Sequence, residues 1–174
     1  MVSRERADPP DFAEFVHQRS AALFRTAYVL TGHRQVAEDL VQEALEKACR
    51  RWRRVAAAES PEAYVRRILV NLANDRWRRI GRSVERVGQA DLAGRAAPGD
   101  PYRVVELRSE LVQALHTLPI GMRTVVVLHY LHDMDPLEIA ATLGISASSV
   151  RSQLARGVAK LRGSATLQTQ FEGA

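Results

Sequence analysis

Cysteine is nearly absent from this chain. Cys49 is the only one in 174 residues, which excludes an internal disulfide framework and a zinc site built on several cysteines. Lysine is almost as scarce, with Lys47 and Lys160 alone among 25 basic residues, so the positive charge is carried by arginine. No apolar run reaches the roughly 18 residues that a membrane span needs. Met1 to Pro10 holds Arg4 and Arg6 with no apolar segment behind them, so no signal peptide is expected. A phosphate-binding glycine loop, an H-E-x-x-H motif and a nucleophile elbow are all missing, which leaves an enzymatic reading without a motif. No cofactor and no metal are implied. A cytoplasmic protein held together by packing is the expectation.

What is present is a globular balance, 46% hydrophobic and 26% charged residues with a net charge of +5, enough for one ordinary domain or two small ones. The charge is unevenly spread. Residues 47–86 hold twelve basic against four acidic groups, a local +8, while the rest holds thirteen against sixteen. A basic block beside an acidic remainder suits a protein that meets nucleic acid with one face and another partner elsewhere; a solvated arginine-rich helix surface is the plainer alternative.

The apolar spacing is helical throughout, and an all-α fold of two small helical domains is predicted. Residues 11–31 carry Phe12, Phe15, Val16, Leu23, Ala27 and Leu30 on one stripe, with Asp11 and Glu14 spaced as a capping box and Gly32 closing the helix. Residues 36–53 repeat the pattern through Leu40, Val41, Ala44, Leu45, Ala48 and Trp52. A third helix opens at Ser60-Pro61-Glu62 and runs through Tyr64, Ile68, Leu69, Leu72 and Trp77 to about Ile80. Glycine and proline then crowd residues 81–101, the composition of a flexible linker that lets two domains move independently. Helical spacing resumes at Val104, Leu107, Leu111, Leu115 and Leu118, followed by helices from Gly121 to Leu131 and two short ones between Pro136 and Arg162. Domains are thus expected over 11–80 and 102–163, with a frayed tail from Gly163 to Ala174.

The most specific signal is D-P-L-E-I-A-A-T-L-G-I-S-A-S-S-V-R-S-Q-L, residues 135–154. Asp135, Pro136 and Glu138 start a helix, Ala140 is small where a second helix approaches, and Gly144 suits the turn. Ser146 caps the next helix, while Val150 and Leu154 anchor it. This is the spacing of a helix-turn-helix. Its second helix would offer the major groove Ser148, Ser149, Arg151, Ser152, Gln153 and Arg156. On helix 36–53, Asp39, Gln42, Glu43 and Glu46 form an acidic stripe opposite the apolar one. On the third helix Asn71, Asn74 and Asp75 precede Arg76, Trp77, Arg78 and Arg79, residue types that a single-stranded nucleic-acid site uses. Trp52 and Trp77 also fit the apolar stripes. His129 and His132 lack a third metal ligand and read as solvated or capping residues, and Cys49 reads as a packed small residue.

Three stretches in order, A-E-D-L-V-Q-E-A-L (37–45), Y-V-R-R-I-L-V-N-L-A-N-D-R-W-R-R (64–79) and the helix-turn-helix, resemble an extracytoplasmic-function RNA polymerase sigma factor, closest to the actinobacterial E-type subgroup. The resemblance implies sigma region 2 over 11–80, docking on the beta-prime clamp of core RNA polymerase and opening the −10 element. It implies sigma region 4 over 102–163, reading the −35 element of promoter DNA. Carried onto this sequence, Asp39, Leu40, Val41, Gln42 and Glu43 fall in the polymerase-docking segment. Asn71, Asn74, Asp75, Trp77, Arg78 and Arg79 fall on the helix facing the −10 strand, and Val55 to Ser60 on the loop that pockets an extruded base. Ser148, Ser149, Arg151, Ser152, Gln153 and Arg156 fall on the −35 helix, where Ser148-Ser149-Val150-Arg151-Ser152 replaces the family's usual Gly-Thr-Val-Lys-Ser. An anti-sigma protein, or a protease gripping the small-residue end Glu172-Gly173-Ala174, is a further candidate partner. Two other readings remain: a free-standing helix-turn-helix regulator, and a decoy that occupies polymerase.

Overall fold

The computed structural model describes residues 11–83 and 109–163, which form eight α-helices and no strand among the described residues. Asp11 stands at the N-cap of α1 (Phe12–Thr31) in extended backbone, but its side chain makes no cap bond. The capping box expected there does not form; Glu14 instead accepts from Gln18 Nε2 at 2.9 Å, one turn ahead on the exposed face. Gly32 ends α1 with φ 65°, and its N–H returns to the Tyr28 carbonyl. The second helix, α2 (Arg34–Cys49), is shorter than the predicted 36–53. The chain turns at Arg50-Arg51 and resumes as the short α3 (Trp52–Ala56). That break lets Trp52 pack its ring on Phe12 and Phe15, each at 5.1 Å between centroids. Trp52 is therefore a packing residue.

Ser60 starts α4 (Pro61–Ser83) as predicted, its Oγ accepting from Ala63 N–H at 3.1 Å. The buried stripe of α4 is Val65, Leu69, Val70 and Ala73. The predicted stripe was rotated: Tyr64, Ile68, Leu72 and Trp77 are only half-buried. The helix also runs past Ile80 to Ser83. The rest of the predicted linker, the helical onset at Val104 and Leu107 and both chain ends lie outside the described residues.

The second helical unit comprises α5 (Ser109–His116), α6 (Ile120–His132), α7 (Pro136–Leu143) and α8 (Ala147–Gly163). Its local chemistry follows the sequence closely. Asp135 Oδ1 accepts from the N–H groups of Leu137 and Glu138 at 2.7 and 2.9 Å, and Glu138 Oε2 accepts from Asp135 N–H at 2.8 Å. This reciprocal box satisfies donors that the first turn would leave orphaned. Gly144 takes φ 67° in the turn, Ser146 Oγ accepts from Ser149 N–H, and Ile139 and Val150 are fully buried. Asp135→Ala is expected to cost about 1 kcal/mol of stability, read as a lower urea midpoint with unchanged slope.

The two units are docked on each other. α1 packs on α2 and α4 on one side and on α5 and α6 on the other, and α4 also meets α6 and α7. One apolar cluster runs from Phe15 through Leu30 and Leu69 to Val125 and Val150. The reason lies in α1, which buries Phe24, Thr26 and Val29 as well as its predicted stripe of Phe15, Leu23, Ala27 and Leu30. A helix covered on so many sides needs neighbours beyond its own unit.

Candidate nucleic-acid interface

Helix α2 presents Asp39, Gln42, Glu43 and Glu46 to solvent. The stripe is laced by i, i+4 contacts: Gln35 to Asp39 at 3.2 Å, Gln42 to Glu46 at 3.1 Å, and Lys47 to Glu43 at 3.1 Å. Such exposed pairs contribute little stability and leave the carboxylates available to a partner. Leu40 and Val41, placed by resemblance in the docking segment, are core residues at 2% exposure each. They hold the stripe in place and offer no contact surface themselves. Cys49 corrects another expectation: it is exposed, because the last turn of α2 carries it off the buried face of Ala44 and Ala48.

Where α2 changes sign, Lys47, Arg50 and Arg51 wall a cleft of about 380 Å³ whose floor is Tyr64 and Ile68 of α4. Cations around an aromatic and an aliphatic face suit a phosphate with its base. Its lining comes from α2, the turn after it and α4, and not from the 55–60 loop that the resemblance singles out. In that loop Val55 is wholly buried and Ala56 is still helical. Sequence reasoning had put Tyr64 and Ile68 in the core. Their i, i+4 spacing one step away from the buried Val65 and Leu69 is the signal that separates the two faces.

The six residues expected to face the −10 strand divide between two sides of α4. Asn71, Asp75 and Arg79 continue, at helical spacing, the side that carries Tyr64 and Ile68. Asp75 and Arg79 are exposed and Asn71 is half-buried. Asn74, Trp77 and Arg78 turn toward the second helical unit. Asn74 Oδ1 accepts from Thr124 Oγ1 at 3.0 Å, and the Arg123 guanidinium lies 5.9 Å from the centre of the Trp77 ring. Arg78 is exposed and pairs weakly with Asp75 at 3.8 Å. It also borders a second, smaller cleft of about 130 Å³ between the units, with Asn74, Gly121 and Gln153.

On α8, Ser148, Ser149, Arg151, Ser152 and Arg156 are exposed and Gln153 is half-buried. Their availability differs. Ser148 and Ser149 hydroxyls sit 3.0 and 2.8 Å from Ser146 Oγ, occupied by the cap. Arg156 Nε donates to the Ser152 carbonyl at 3.3 Å. Gln153 Oε1 leans over Gly121, 2.9 Å from where a Cβ would stand. Arg151 is the cation that the first turns of α8 hold outward.

The residue that sequence reasoning missed is Arg123, at 5% exposure in the first turn of α6. Its Nε donates to the Leu115 carbonyl at 3.0 Å, and Nη2 to the Leu118 and His116 carbonyls at 3.0 and 3.4 Å. Nη1 reaches the Leu30 carbonyl of α1. Burial lowers its pKa to about 10, so it stays charged at neutral pH. An arginine inside the apolar run I-G-M-R-T-V-V-V-L was the available signal, since a buried cation needs acceptors nearby. His129 Nδ1 lies 2.8 Å from the Met134 carbonyl in the turn after α6. His132 is not solvated: its Nε2 lies 2.9 Å from Thr26 Oγ1 of α1.

Comparison with known proteins completes the picture. Residues 15–83 match the family model for sigma-70 region 2 and residues 108–161 that for sigma-70, region 4. The RNA polymerase sigma-E factor of Streptomyces avermitilis is 36% identical, the match covering 87% of this chain and 83% of the relative. The sigma-E factor of Streptomyces coelicolor is 35% identical, at 87% and 84%. The ECF RNA polymerase sigma factor SigE of Mycolicibacterium smegmatis is 33% identical, at 91% and 63%. Among solved structures, the sigma factor RpoE in complex with the anti-sigma factor NepR from Bartonella quintana shares the fold, with 24% identity, a TM-score of 0.71, and 91% and 97% coverage. Two sigma-70 regions in order, matched along most of the length of actinobacterial sigma-E factors, make this chain an extracytoplasmic-function RNA polymerase sigma factor, a transcription initiation factor that works with core RNA polymerase at promoter DNA.

Proposed function

We propose a division of that work among the surfaces described above. The exposed acidic stripe Asp39, Gln42 and Glu43 docks on the polymerase clamp, with Leu40 and Val41 supporting it from the core. The Lys47–Arg51 cleft with Tyr64, continued by Asn71, Asp75 and Arg79, takes the melted −10 strand. Asn74, Trp77 and Arg78 join it from the adjacent side of α4. Helix α8 reads the −35 element, with Arg151 on base edges and Ser148, Ser149, Ser152, Gln153 and Arg156 on phosphates or neighbouring bases. The observation that carries this reading is the cation-and-aromatic cleft on the same helix face as Asn71 and Asp75, in a chain that also carries an exposed helix-turn-helix. The protein acts in the cytoplasm by binding alone; polymerase supplies the chemistry.

Charge reversal at the stripe tests the docking assignment. Asp39→Arg is expected to weaken association with core RNA polymerase by at least about tenfold, and most at low salt. Binding of α8 to a −35 duplex should be unchanged. Retained polymerase affinity would remove the stripe from the interface, and would favour a free-standing regulator if the protein then bound an operator as a dimer without polymerase.

A further inference from the structure

Helix α1 ends with carbonyls that its own helical unit does not cap. Gly32 N–H returns to Tyr28, which leaves the Val29 and Leu30 carbonyls to find donors elsewhere. Both donors come from the second helical unit: His116 Nε2, 3.2 Å from the Val29 carbonyl, and Arg123 Nη1 on the Leu30 carbonyl. They meet the negative end of the helix dipole, where donors and cations are favoured. The His116 ring lies over Gly32, where a Cβ would stand 2.6 Å from Nε2 and 2.9 Å from Nδ1. Glycine is needed there twice, for its positive φ and for the ring above it. Along the same seam Thr26 Oγ1 donates to the Ala22 carbonyl, so it accepts from His132 Nε2. Thr124 holds Asn74, and Arg123 covers Trp77.

We propose that this seam is a latch: region 4 caps the end of α1 and, while docked, holds Asn74 and Trp77 of α4 away from nucleic acid. The inference rests on the assignment of α4 to the −10 strand. Docked and open forms then compete, and single-strand binding by the isolated protein is reduced by the fraction that is closed.

The latch is acid-labile. The His116 pKa is lowered to about 4, chiefly by burial in the seam and then by Arg123 beside it, with the Val29 carbonyl opposing both. Burial likewise lowers His132 to about 4, with Arg66 of α4 lowering and Asp133 raising it. From α1 these rings face Gly32, the Val29 carbonyl and Thr26 rather than a carboxylate. Once undocked, both rings return toward the ordinary value near 6.5. The open form therefore binds more protons below that value. Docking is fully favoured above about pH 6.5 and is lost as pH falls toward 4. Between about pH 7.5 and 5.5 each histidine shifts the closed-to-open ratio by about tenfold, while most carboxylates stay ionised.

The test uses the full chain with dyes on the exposed Cys49 and on Lys160→Cys at the far end of α8. High energy transfer at about pH 7.5 should fall at about pH 5.5, with helicity unchanged. Gly32→Ala crowds the His116 ring and should lower transfer at the higher pH. Thr124→Val keeps the volume and removes only the Asn74 donor, so it covers the case in which Gly32→Ala fails to fold. In the undyed chain the same changes should raise affinity for a labelled random single-stranded oligonucleotide by about tenfold. Transfer that ignores both pH and Thr124→Val overturns the latch. Transfer that falls with no gain in oligonucleotide binding overturns the masking of α4, and with it the −10 assignment rather than the docking.

Discussion

Arg123→Met is expected to cost about 3 kcal/mol of unfolding free energy, the largest single effect on stability foreseen for this chain. Methionine keeps the length of the apolar stem within the packed first turn of α6, so little of the loss comes from a cavity. What disappears is the donor set. The carbonyls of Leu115, His116, Leu118 and Leu30 all lose a guanidinium N–H, and a buried acceptor left unpaired costs about 1–3 kcal/mol. Thr117 and Pro119 of the α5–α6 turn are exposed, so solvent can replace part of the donor set and the total stays below the simple sum. Arg123→Lys should fall between, since one ammonium cannot reproduce the planar fork. Urea unfolding of the full chain measures both. A loss under about 0.5 kcal/mol for methionine, the range of ordinary surface changes, would mean that the arginine does not organise this region.

Arg151→Ala is expected to lower transcription from a cognate promoter by about tenfold to a hundredfold, the range of 1–3 kcal/mol lost with one base contact. The proposed reading favours this residue among those of α8. Ser148 and Ser149 are engaged with Ser146, Gln153 leans over Gly121, and Arg156 lies on its own helix backbone. Arg151 projects from the first turns of α8, the part of a recognition helix that enters the groove. The loss should be concentrated on templates changed at one −35 position, with specificity relaxed there. A loss that is uniform over templates, with a salt slope reduced by about one, would make Arg151 a phosphate contact.

The parts of this protein that could be read from sequence are those whose causes are local. Asp135, Glu138, Gly144 and Ser146 act on backbone within four residues, and each does in the structure what its spacing predicts. The same motif at Asp11 and Glu14 failed through an equally local competitor, Gln18. The break after Cys49 was not legible, since it depends on where the Trp52 ring finds Phe12 and Phe15. Nor was the docking of the two regions. Arg123 and its acceptor Leu30 are 93 residues apart, and Thr26 and His132 are 106 apart. Periodicity marks a buried face without saying what covers it. For α4 the pattern grouped six polar and aromatic residues on one helix, but Asn74 and Asn71 differ in neighbours by a rotation that only the packed structure fixes.

One chain is proposed to supply both polymerase docking and promoter reading. Transcription by core RNA polymerase on a library of promoter-like templates, with and without this protein, tests both at once. Transcripts are expected that appear only with the protein, share two upstream elements, and disappear with Asp39→Arg. Active core polymerase and folded protein giving no such transcripts on any template in an exhaustive library would contradict the proposal.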